Sequence, residues 1–208
     1  MNFFGHAAVA SWAASPPGVV LGAMLPDFAT MCGGRITAAE DPAVTRGIAL
    51  HHATDAVFHR LPTVTAAMRE LDAQLDQRGC ARGPRRAVAH IGVELLLDGV
   101  LVDEPAYRAA YLEGLAHDPS LAWRDSDTAP QFARLLDRLR ARGVPDDLRL
   151  PEAITALVHR ILVHRPLLAA SPSDLVAIRG ALVAFRPRIE AAAGTIVRGV
   201  RAALDERA

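Results

Sequence analysis

In the segment GIALHHATDAVFHRLP, His51, Asp55 and His59 recur at every fourth residue, with His52 beside the first. Each such step turns a helix by only about 40°, so His51 and Asp55 share one face. An imidazole and a carboxylate one turn apart can hold a metal ion or a phosphate together; the alternative is a simple hydrogen bond between them. With no thiolate nearby, the pair suits Mn²⁺, Fe²⁺ or Mg²⁺ better than a structural zinc. His59 follows Phe58 at the expected helix end, where capping of the last carbonyls is the favoured reading.

A second set lies on AHIGVELLLDGVL, where His90, Glu94 and Asp98 fall four residues apart and form one polar stripe. The rest of that helix is aliphatic, so its two carboxylates are expected to be buried. Burial of that kind is costly unless a metal or an arginine neutralises them. His90 reads as a hydrogen-bonded neighbour rather than a ligand. Together the two helices predict a divalent metal between His51/Asp55 and Glu94/Asp98. Two further polar residues, His6 and Asp27, stand in or beside apolar segments, where a cap or a core hydrogen bond would explain each.

Helices must position these groups. Apolar residues recur with helical rather than two-residue spacing, and Pro and Gly punctuate the chain. The pattern predicts helices over 2–13, 19–25, 42–61, 62–77, 85–102, 105–117, 128–141, 151–165 and from 173 to the end, the last broken at Pro187. The stretches MCGGRITAAE and HDPSLAWRDSDTAP are expected to be loops. The fold class is all-α.

The chain has 208 residues, 51% of them hydrophobic and 22% charged, which suits one globular domain over residues 1–208. The 23 basic residues, every one an arginine, balance 23 acidic ones. That balance argues against a nucleic-acid partner, and the lack of lysine excludes Schiff-base and P-loop chemistry. Cys32 and Cys80 form no C-x-x-C pair, so neither disulfides nor a zinc ribbon organise the fold. No apolar run reaches the roughly 18 residues needed to cross a bilayer, and the first residues lack a basic leader, so a cytoplasmic protein without a membrane partner is expected. H-E-x-x-H, E-x-x-H, G-x-S-x-G, the Walker loop and G-x-G-x-x-G are all absent.

The segments MNFFGHAAVA, LGAMLPDF, RGIALHHATDAVFHRLPTV, VELLLDGVL, HRPLLAA and FRPRIEAA, in this order, resemble the acyl carrier protein phosphodiesterase family over nearly the whole chain. The resemblance implies an HD-domain-like helical fold and a divalent metal, typically Mn²⁺. It also implies hydrolysis of the phosphodiester joining 4′-phosphopantetheine to the serine of holo-acyl carrier protein, which would be the partner. Carried over by position, His6, Asp27, His51, Asp55 and Asp98 match the family pattern, and Glu94 replaces an Asp. Asp27, His51, Asp55, Glu94 and Asp98 would then be metal ligands, with Glu94 also able to orient the attacking water. His6 or His52 would serve as general acid. Ala49, Gly99 and Glu104 stand where family members carry histidines. The alternatives are other metal-dependent chemistry on the same fold, either phosphoester hydrolysis or iron-dependent oxidation, and a non-enzymatic carrier-binding domain.

Overall fold

The computed structural model describes residues 1–13 and 15–207. Among them the chain is all-α apart from one two-stranded sheet, and it forms two compact units, each assembled from two separate stretches.

The first unit comprises residues 1–56 and 101–145. It holds α1 (Phe3–Ser11), α2 (Pro17–Met31), β1 (Ile36–Ala39), all but the last two residues of α3 (Pro42–Phe58), then α6 (Pro105–Ala116), β2 (Leu121–Trp123) and α7 (Thr128–Arg142). Every residue of α1 from Phe3 to Ala10 is buried, so this helix lies inside the unit rather than on it. Phe3 packs on Phe28 and Tyr111, and Phe4 on Tyr111, tying α1 to α2 and α6. The strands pair antiparallel with Ile36 opposite Trp123 and Ala39 opposite Leu121. Both lie in stretches expected to be loops. Strands of four and three residues are too short to leave a readable alternation.

The second unit comprises residues 57–100 and 146–207 of the described chain. It holds α4 (Pro62–Gln77), α5 (Arg82–Leu101), a 3₁₀ turn (Asp146–Arg149), α8 (Pro151–Leu162) and α9 (Pro172–Asp205). Val64, Leu71 and Leu75 of α4 are fully buried, as are Ile178, Leu182, Phe185 and Ile189 of α9. Gly92 of α5 lets Leu71 and Leu182 close over it, since a Cβ there would lie 3.2 and 3.1 Å from their methyl groups. Gly79, at φ +75°, ends α4 where the sequence predicts.

Proline sets four helix starts as expected, at Pro42, Pro62, Pro105 and Pro151. Two other prolines overturn the predicted breaks. Helix α2 passes through Pro26 to Met31, and α9 through Pro187 to Asp205. Pro187 and the preceding Val183 are exposed, so water can take the carbonyl that the missing N–H would have bonded. The predicted last residue of that helix, Ala208, lies outside the described residues.

Candidate metal centre

The first unit builds its site on a close helix crossing. A Cβ at Gly22 of α2 would fall 2.3 Å from the Val44 carbonyl oxygen, and one at Gly47 of α3 would fall 2.2 Å from that of Val19. The two backbones therefore touch where both residues are glycine. One turn beyond Gly47, His51 reaches across to α2, with its Nδ1 2.9 Å from the Ala23 carbonyl oxygen. One turn beyond Ala23 on α2 is Asp27. It was expected after the helix and instead lies within it, one residue past the Pro26 that cannot donate back to Gly22.

A carbonyl only accepts, so His51 Nδ1 donates to it. The neutral ring then presents its Nε2 lone pair. Burial lowers the His51 pKa to about 4, helped by the neighbouring His6 and opposed by the Ala23 carbonyl and Asp55. His51 is thus neutral at physiological pH, the state a metal ligand requires.

His6, 1% exposed on α1, stacks on His51 with ring centroids 3.8 Å apart. Its Nε2 stands 3.2 Å from Asp55 Oδ1, while His51 Nε2 stands 3.5 Å from Asp55 Oδ2. The Met1 amine donates to the same Asp55 Oδ1 at 2.7 Å. Burial pulls the Asp55 carboxyl upward, but His6 and the Met1 amine outweigh it and hold it well below the usual carboxylate range. One donor atom each from His6, Asp27 and His51 lies within 4.8 Å of the others, so this group could hold a metal ion. Two imidazoles and carboxylate oxygen, with no thiol, fit a hard-to-borderline divalent cation. His6 and Asp27 thus enter the cluster rather than acting as caps.

A groove of about 540 Å³ is lined by Pro26, Thr30, Arg35, Ile36, Thr45, Ile48 and His52 among others, and so by the sequence neighbours of Asp27 and His51 rather than by those residues themselves. His52 is exposed and meets His51 edge-on at 5.3 Å between ring centroids.

Glu94 and Asp98 belong to the second unit, on α5. Asp98 is fully buried. Glu94 meets His90, its expected hydrogen-bonded neighbour, and also His59, which was expected only to cap a helix. His90 Nε2 lies 3.2 Å and His59 Nε2 3.6 Å from its Oε1. Burial pushes the Glu94 carboxyl up, but the hydrogen bond and charge of His90, with His59, hold it below its ordinary value. His59 and His90 are 31 positions apart, so no spacing rule could pair them; the available signal was only that both are histidines at the ends of apolar segments. Later on α5, Gly99 permits a close backbone approach, because a Cβ there would fall 2.2 Å from the Leu148 carbonyl oxygen.

No helix among the described residues is long and apolar enough to cross a membrane. No family model, curated protein or solved structure matches the chain, so the chemistry of both clusters is read from their own residues.

Proposed function

We propose that the chain is a divalent-metal-dependent phosphodiesterase of the HD-like helical type, cleaving the bond between 4′-phosphopantetheine and the serine of holo-acyl carrier protein. The observation that carries this reading is the convergence of His6, Asp27 and His51, with Asp55 beside them. These are four of the positions at which the sequence resembles the acyl carrier protein phosphodiesterases.

His6, Asp27 and His51 would hold the ion, Mn²⁺ by the resemblance, with Mg²⁺ or Fe²⁺ as alternatives. When bound, such an ion neutralises phosphate oxygen charge and lowers the pKa of water towards about 7. The Ala23 carbonyl fixes the His51 tautomer from behind, as outer partners commonly do for metal-bound histidines, and Asp55, beside the Nε2 atoms of both imidazoles, stands on the side the ion would occupy. His6 is too buried to meet a leaving group, which leaves His52 on the groove wall as the general acid for the departing serine oxygen. Arg35, on the same wall, supplies a guanidinium for the phosphate. The groove is long enough in volume for an extended, uncharged arm to lie beside the reacting phosphate.

The test is direct. Holo-carrier protein incubated with the chain and Mn²⁺ should release phosphopantetheine, seen as a carrier lighter by that group in intact-mass spectra, and EDTA should abolish the loss. If neither free nor acylated carrier loses mass with Mn²⁺, Mg²⁺ or Fe²⁺, the phosphodiesterase reading falls.

A further inference from the structure

The second unit carries a cluster that the proposed reaction does not use. His59 sits in the turn after α3, while His90 and Glu94 lie one turn apart on α5. The two imidazoles stack with centroids 4.7 Å apart and planes 19° from parallel, so they offer similar edges to one carboxylate. Both Nε2 atoms point at the same Glu94 Oε1, at 3.2 and 3.6 Å, and one donor atom from each of the three residues lies within 4.8 Å of the others. In a tetrahedral shell with metal–ligand bonds of about 2.1 Å, neighbouring donors stand about 3.4 Å apart. The two measured separations bracket that value, so little movement is needed for an ion to bind.

Access is graded in the way a loadable site requires. The Glu94 side chain is 11% exposed and forms the floor, His59 is 32% exposed, and His90 at 51% opens to solvent. Two imidazoles and one carboxylate are the donor set of open zinc and iron sites, in which protein fills three positions and leaves the rest to water or a ligand. Imidazole-rich sets favour late first-row ions over Mg²⁺ or Ca²⁺.

The geometry points to a second metal site, formed by His59, His90 and Glu94, that takes Zn²⁺ or a similar transition ion in preference to Mg²⁺ and keeps at least one position open. It draws on none of the residues of the His6/Asp27/His51 group and stands whether or not that group is catalytic. Binding displaces any protons carried by the two ring nitrogens and changes no oxidation state.

The test uses the full chain, stripped with EDTA and titrated with Co²⁺ as a spectroscopic stand-in for Zn²⁺, then with Zn²⁺ by calorimetry. His90→Ala should lower the number of bound ions by one, and Glu94→Gln should weaken that ion by at least about 100-fold, as loss of one ligand commonly does. Visible cobalt bands of tetrahedral or five-coordinate intensity should vanish with His90→Ala, and millimolar Mg²⁺ should not displace them. His90 is exposed but bonds the buried Glu94 carboxylate, so His90→Gln, which keeps a donor but loses the imidazole ligand, serves beside His90→Ala and should show the same loss of one ion. Titrating His51→Ala isolates the second site; if that variant does not fold, the loss of one ion between parent and His90→Ala carries the same information. Unchanged stoichiometry in His90→Ala, or no Co²⁺ and Zn²⁺ binding in the parent, would reduce the trio to a hydrogen-bonded cluster and overturn the inference.

Discussion

In the first unit the clustered histidines His6 and His51 are buried and their carboxylate partner Asp55 is a third exposed; in the second the carboxylate Glu94 is buried and its histidines His59 and His90 reach solvent. The inversion has chemical consequences. A buried imidazole such as His51 is held neutral, and a backbone carbonyl chooses its tautomer, so its lone pair is prepared before any ligand arrives. The second cluster has a buried carboxylate floor and a half-exposed histidine, His90, at the surface. Preorganisation of the first kind suits transition-state stabilisation, which depends on groups already in place. The second arrangement suits ion capture.

The strongest way to break this contrast is Asp27→Ala. Loss of a ligand from the first cluster should lower kcat/KM towards holo-carrier protein by about 10³-fold, near 4 kcal/mol of transition-state stabilisation. Cobalt bands from the second unit should be unaffected. Phosphopantetheine release and the cobalt titration, run on one preparation, check both halves. Parallel losses would show that the two clusters act as one.

Acid should act next most strongly, through the first unit. With metal removed, His51 has a folded pKa of about 4 against 6.5 in the unfolded chain. Above pH 6.5 both states are neutral there and nothing is lost. As pH falls from 6.5 towards 4, the unfolded chain takes up a proton that the folded chain refuses, so stability drops, by up to about 3 kcal/mol in all. Asp55, depressed by folding, adds stability above its unfolded pKa of 3.8 and loses it only below that, so its contribution extends the decline to lower pH. Urea unfolding of EDTA-treated protein at pH 7, 6, 5 and 4 measures the slope, and His51→Gln should flatten it between 6.5 and 4.

Backbone contact ranks third. Gly47→Ala sets a Cβ against the Val19 carbonyl with no room to move except by parting α2 from α3. The cost should be about 2 kcal/mol, in the range of overpacking changes, measured as a lower urea midpoint at unchanged m-value. His51 reaches Ala23 only across that crossing, so Mn²⁺ affinity should fall with stability.

What the chain announces in advance follows from which interactions are local. His51 and Asp55 were legible as a pair because one helical turn separates them, and the proline-led starts of α3, α4, α6 and α8 because proline at the first helical position acts through its own ring. Pro26 and Pro187 misled because their penalty is real but small beside the packing of α2 and α9, and only the fold shows whether a freed carbonyl meets water or a side chain. The Gly22–Gly47 crossing was invisible for a related reason: a glycine within a helix reads as a weak helix former until its neighbour is known. His59 read as a cap because its partners on α5 are more than 30 residues away. His6 and Asp27 stood out only as polar residues in or beside apolar segments, because their meeting with His51 depends on three helices at once.

The smallest predicted effect tests the same glycine argument with the opposite sign. Gly194 of α9 is also a glycine inside a helix, but it is exposed, and a Cβ there would meet only the Nη1 of Arg198, 3.3 Å away at the tip of an exposed side chain. A guanidinium tip can swing aside where the Val19 carbonyl cannot. The substitution Gly194→Ala therefore removes backbone freedom from the unfolded chain and strains nothing in the folded one. It should stabilise the protein by about 0.5–1 kcal/mol, raising the urea midpoint and leaving Mn²⁺ and Co²⁺ binding as they were. If Gly47→Ala and Gly194→Ala both destabilise, steric closure at the α2–α3 crossing is not what sets the cost of the first. Opposite signs would instead tie the His51 site to a backbone contact that only glycine permits.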